Sequence, residues 1–168
     1  ARDLAKELDF LHRYILLNRI VKTDIVLFNE RLRQRMVFQS ANDDFEKIRN
    51  YLLQYDYQGG TELANLDFSA VRSDMILLFS DGASIFGTAL PVPGKVQVNS
   101  IVSGNLVNEK TLQQITAPSG GRIISLNNII FANTYSEHEF VTNYLLKVSS
   151  VKKSVVINET LPAVYNNE

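Results

Sequence analysis

Apolar positions recur along this chain in two rhythms. Leu4, Leu8, Leu11 and Ile15 follow one another at spacings of four, three and four. That is one stripe of an amphipathic helix over residues 1–19, with Arg2, Lys6, Asp9 and Arg13 elsewhere around it. Phe45, Ile48, Leu52 and Tyr55 repeat at three, four and three and predict a second helix, started by Asn42 as cap and ended near Gly59-Gly60. Between the two helices the rhythm changes. Thr23–Asn29 (TDIVLFN) is a continuous apolar run, and Arg33–Gln39 (RQRMVFQ) is a more polar one. Only Glu30-Arg31-Leu32 separates them, which predicts an antiparallel hairpin, because a parallel crossover takes a dozen residues or more. The polar second arm suits a sheet edge.

The stretch from Tyr57 to Phe86 organises the rest. Met75–Phe79 is an unbroken apolar run bounded by Ser80-Asp81-Gly82. It is too short for an ordinary helix and reads as a strand covered on both faces, as in a parallel sheet. It is expected to be central, flanked by Ile25–Phe28 or Val96–Ile101. Thr61–Ala70 is expected to form a short helix capped by Thr61, with Glu62 in its first turn. Gly82–Gly94 is loop-like, Val96–Val102 a strand, Asn108–Thr116 a helix with Leu112 and Ile115 facing inward, and Arg122–Leu126 a last short strand. This order predicts an α/β fold: three layers, doubly wound, with a mostly parallel sheet and one antiparallel edge strand, over residues 1–126. Residues 127–168 stand apart as a C-terminal helix, strand and tail leading towards another module. Glu137–Val148 is expected to be helical, Ser154–Ile157 a strand without a partner sheet, and Pro162–Glu168 a linker or frayed terminus.

Composition narrows the function classes. An apolar fraction of 45% and a charged fraction of 21% are those of a globular domain. A net charge of −1 gives no bulk attraction to nucleic acid or to a membrane surface. No apolar run approaches the ~20 residues of a membrane span. The absence of cysteine excludes disulfides, thiolate metal sites and cysteine nucleophiles. There are two histidines, and His12 beside the first helical stripe reads as a surface or boundary residue. Asn158-Glu159-Thr160 matches a glycosylation sequon, a tripeptide common by chance.

Candidate chemistry concentrates at one place. In open α/β sheets, ligands sit beyond the carboxyl ends of the strands. Asp81 would stand there, and Thr61, on the glycine loop before the same strand, would reach the same edge. Two hard oxygen groups suit a hard cation such as magnesium. Plainer roles exist for both: Thr61 as a helix cap, and Asp81-Gly82 as a turn. Tyr51, Tyr55 and Tyr57 read as half-buried. Enzyme signatures are lacking. Gly82-Ala-Ser84-Ile-Phe-Gly87 has the wrong spacing for a nucleophile elbow, and no phosphate-binding glycine loop is present. The competing class is an α/β enzyme or signalling domain using Asp81 as nucleophile or metal ligand. A receiver-type phosphoacceptor would need a lysine ending a later strand, and Ser103-Gly104 follow Val102 instead.

GGTELANLDF followed by DMILLFSDG resembles the second half of the metal-ion-dependent adhesion site of von Willebrand factor type A domains. VNSIVSGNLVNEKTLQQITAPSGGRIISL resembles that family's later strand, helix, glycine pair and short strand. Bacterial members coupled to an inter-alpha-trypsin-inhibitor-type module are the nearest likeness. The resemblance implies a non-enzymatic adhesion or protein-binding domain. A divalent cation such as Mg2+ would bridge it to a protein ligand presenting an acidic residue, at the cell envelope or outside the cell. By match of motif, Thr61 supplies a hydroxyl to the metal and Asp81 a carboxylate through water. The family's first central strand and its Asp-x-Ser-x-Ser loop precede the first helix and do not occur in these residues. The expectation is therefore a partial metal site, empty in this chain alone. The central gap in the sheet is expected to be filled by the missing segment or by a second copy of the chain.

Overall fold

The computed structural model describes residues 3–29, 32–39, 45–54, 61–84, 87–128, 155–158 and 163–167. Its elements are α1 (Leu4–Leu17), β1 (Lys22–Phe28), β2 (Leu32–Gln39), α2 (Phe45–Leu53), β3 (Ser73–Phe79), β4 (Gln97–Val102), α3 (Glu109–Thr116), β5 (Ile123–Ser125), β6 (Val155–Asn158) and β7 (Ala163–Asn167). The fold is mixed α/β. β3, β4 and β5 pair in parallel, and β1 and β2 form the expected antiparallel hairpin. All belong to one sheet with β2 and β5 at its edges.

Strand alternation sorts the core into two clusters, one on each face of the sheet. On one face Ile25, Leu27, Met75, Leu77 and Phe79 pack with Leu8, Phe10, Leu11 and Tyr14 of α1 and with Ile48, Tyr51 and Leu52 of α2. On the other, Val26, Phe28, Ile76 and Leu78 pack with Leu63, Leu66, Phe68 and Val71 and with Leu112 and Ile115 of α3. Covering on both faces explains why β1 and β3 read as continuous apolar runs. Leu77 and Leu78 are both 0% exposed.

Local chemistry sets the ends of the helices. The Asp3 carboxylate accepts the Lys6 N–H and caps α1. At its other end Arg19 takes a left-handed conformation, φ 50°, and the Ile20 N–H reaches back to the Ile15 carbonyl. That is the 6→1 closure of a helix whose C′ position usually carries glycine. Asn108 caps α3 through the Thr111 N–H. His12 is half-buried and stacks on Phe45 with ring centroids 4.2 Å apart, so this boundary residue links α1 to α2.

Several expectations change in the folded chain. Thr61–Ala70 is not a helix: only Leu63–Asn65 makes a 3-10 turn. The residues after it run extended, because Phe68 and Leu66 exchange backbone hydrogen bonds with Val92. Long-range pairing has overridden a weak local propensity there. Tyr51 is buried rather than half-buried, since its ring packs edge-on against Phe38. Residues 155–158 do have a sheet: β6 pairs in parallel with both β1 and β3. Residues 163–167, expected to fray, form β7 against the same two strands. The chain's own tail thus stands in the central gap for which an upstream segment or a second copy was expected. The expected Glu137–Val148 helix, the Asn42 cap, Tyr55 and Tyr57 lie outside the described residues.

Candidate functional site

Asp81 follows directly on Ser80 at the carboxyl end of β3. Its Oδ1 accepts the Ala83 N–H at 2.9 Å, and its carbonyl accepts the Asn108 N–H at 2.7 Å. The second bond docks the start of α3 against the strand end. Gly82 makes this approach possible. It sits at φ +76°, and a Cβ there would lie 2.8 Å from the Asn108 carbonyl oxygen and 2.8 Å from Leu112 Cγ. The Ser80 hydroxyl, fully buried, accepts the Gly82 N–H at 2.9 Å. Asp81 itself is half-buried.

Thr61 reaches the same edge by a separate route. The Glu62 N–H donates to the Asn29 carbonyl at 3.1 Å, fixing this segment to the end of β1. The Ser84 hydroxyl donates to the Thr61 carbonyl at 3.4 Å and ties the Asp81 loop to the Thr61 segment. Thr61 is 6% exposed. It is no helix cap: the 3-10 turn that follows takes Glu62 in the cap position, with no side-chain bond. The structure therefore brings the Thr61 and Asp81 segments together at the carboxyl ends of β1 and β3.

The expected binding loop is only partly at this edge. Residues 82–84 belong to it. Val92 pairs with Leu66 and Phe68, so the later part of the loop runs down the sheet face towards the start of β4.

The same edge holds polar residues that sequence reasoning passed over. Glu7 is 1% exposed, and the Ser103 hydroxyl donates to its Oε1 at 2.5 Å. Ser103 also accepts the Asp3 N–H at 2.8 Å and so ties α1 to the end of β4. The signal was present: Glu7 lies three and four residues before Phe10 and Leu11, on the buried side of the helix. At the opposite edge Asp24, fully buried, is gripped by the Arg35 guanidinium across the hairpin. That pair accounts for the polar start of β2.

A cavity of about 1280 Å³ lies at that opposite edge, between the starts of β1, β3 and β4. Of its charged lining, Arg35 is bonded to Asp24, Asp67 to Ser69, and Arg72 to the Ser69 and Val71 carbonyls, and Lys22, Asp74 and Lys95 complete it.

Thr61 and Asp81 offer one neutral and one charged oxygen, too few to replace the waters of an octahedral magnesium ion. Among the described residues no group of three or more Asp, Glu, His or Cys could hold a metal. These residues fit a fraction of a metal site, not a whole one. Among them no helix is long and apolar enough to cross a membrane. Comparison with protein-family models, with curated proteins and with solved structures finds no match to this chain.

Proposed function

We propose that this chain is a protein-binding module of von Willebrand A type, and that it meets its ligand at the carboxyl edge around Thr61 and Asp81. One observation carries the reading: two segments twenty residues apart, quoted above for their likeness to that family, are tied together at this edge by the Ser84 hydroxyl and the Thr61 carbonyl. The edge carries the Thr61 side chain and the half-buried Asp81 carboxylate. The ligand this suits is a protein surface offering an acidic side chain, with a divalent cation between the two carboxylates once further oxygen donors complete its shell. The signalling alternative would use Asp81 as a phosphoacceptor. The lysine it would need after β4 is replaced by Ser103, which is turned inward to Glu7.

Two measurements on the whole chain separate these readings. The first is binding of an Asp/Glu-rich peptide with magnesium present, comparing the parent with Asp81→Ala. The second is incubation with magnesium and acetyl phosphate, followed by mass spectrometry. Weak peptide binding lost on Asp81→Ala, with no added phosphoryl group, is the expected result. Phosphorylation of Asp81, or peptide binding indifferent to the substitution, would overturn the proposal.

A further inference from the structure

The cavity at the amino edge of the sheet is built by segments that meet only in the folded chain. The Phe68 N–H donates to the Val92 carbonyl at 2.9 Å, which lays the turn after Leu66 along the approach to β4. Gly94 closes that contact. A Cβ there would lie 2.1 Å from the Phe68 carbonyl oxygen, so only glycine lets the two backbones meet. Residues 69–74 and 93–96 thereby line one space of about 1280 Å³, to which the β1–β2 hairpin adds Lys22 and Arg35.

Charge on this lining is unbalanced. Lys22, Arg35, Arg72 and Lys95 share it with two carboxylates, Asp67 and Asp74. Counting the buried Asp24 against Arg35 still leaves a positive excess. Asp67 is turned onto its own turn, accepting the Ser69 N–H at 2.8 Å and the Ser69 hydroxyl at 2.6 Å. Arg72 donates to the Ser69 and Val71 carbonyls at 3.0 and 3.2 Å, both through Nη1. Those bonds orient a planar fork of donors, and Nε and Nη2 lie outside them. An oriented guanidinium gives up little freedom when it binds an oxyanion. Apolar surface adjoins these cations: Val71 precedes Arg72, and Pro93 and Val96 stand on either side of Lys95 along the chain. Asp74, half-buried at the start of β3, disfavours a highly charged ligand.

We propose that this cavity binds a small organic anion. Its single carboxylate or phosphate group meets Arg72 and Lys95, and its apolar body lies against Val71, Pro93 and Val96. Lys22 and Arg35 add attraction over a longer range. A bare inorganic ion would leave the apolar lining uncovered, and a polyanion would be repelled by Asp74. The site lies at the edge of the sheet opposite Thr61 and Asp81 and is independent of the ligand proposed there.

The test titrates the whole chain with phenyl phosphate, benzoate and inorganic phosphate, followed by amide NMR and calorimetry. Saturable binding of phenyl phosphate or benzoate is expected, tighter than that of inorganic phosphate, with shifts centred on residues 69–73 and 93–96. The tighter of the two names the oxyanion. Arg72→Gln should weaken binding about tenfold, the loss of one charge-assisted hydrogen bond. Lys95→Gln, an exposed position outside the turn, should weaken it severalfold and keeps the test in force should Arg72→Gln fail to fold. Added salt should weaken it too. No saturable binding of either organic anion would overturn the proposal. So would inorganic phosphate binding as tightly as both, or binding indifferent to both substitutions.

Discussion

The Ser103 hydroxyl donates to the Glu7 carboxylate at 2.5 Å while accepting the Asp3 N–H at 2.8 Å. One serine thus satisfies a buried acid and fastens the start of α1 to the end of β4. Removing one partner leaves a buried polar group short of a bond, whereas replacing both with apolar groups is far milder. Ser103→Ala should therefore cost about 1–3 kcal/mol in urea unfolding. Glu7→Leu combined with Ser103→Ala should be less destabilising than the sum of the two single changes. Strict additivity would show that the two residues are not coupled.

Gly82 carries two constraints, its left-handed backbone and the missing Cβ against Asn108 and Leu112. Gly82→Ala should cost about 2 kcal/mol or more, since the left-handed penalty alone is about 1–2 kcal/mol. Because the clash lies at the start of α3, thermal unfolding should fall together with amide protection in that helix. An unchanged melting temperature would mean that the loop reshapes freely.

Arg19 occupies with a side chain the position where glycine is favoured. Arg19→Gly should stabilise the chain by roughly 0.5–1 kcal/mol, by relieving the left-handed strain at the end of α1. Chemical denaturation decides this, and a loss of stability would point to an unrecognised role for the guanidinium.

Thr61 does not cap the 3-10 turn that follows it, where Glu62 takes that position. Thr61→Ser, which keeps the hydroxyl, and Thr61→Val, which keeps the shape, should separate chemistry from packing. Both should leave stability within about 1 kcal/mol of the parent. Calorimetric titration of the whole chain with magnesium should show no sub-millimolar binding, because two oxygen ligands make a poor cage. Sub-millimolar binding indifferent to both Thr61→Val and Asp81→Ala would place the metal elsewhere.

The Ser69 hydroxyl, and then the Ser69 N–H, hold the Asp67 carboxyl below the usual carboxylate range. A depressed folded-state pKa contributes stability above the unfolded value of about 3.9 and loses it as pH falls through the folded one. Carboxyl NMR should find the Asp67 midpoint below that of free aspartate, and Ser69→Ala should raise it. An unshifted midpoint would dissolve the turn.

Periodicity alone determined the helices at Leu4–Leu17 and Phe45–Leu53, the β1–β2 hairpin, and the buried character of β3. Each depends on side-chain spacing within one short stretch, so the information is local. The placing of Asp81 beyond a strand end followed from the same pattern. The fate of residues 61–70 did not, because their backbone pairs with Val92 far along the chain. Glu7 was hidden for a related reason. A carboxylate on an apolar helix face is tolerable only when a distant group such as Ser103 meets it, and the helix sequence does not contain that group. The tail is the sharpest case. Val155–Asn158 reads as a strand from its own residues, yet its place between β1 and β3 is set by the distant strands it pairs with. Backbone hydrogen bonding is indifferent to sequence, so which segment fills a slot is decided by the edges the tertiary fold leaves open.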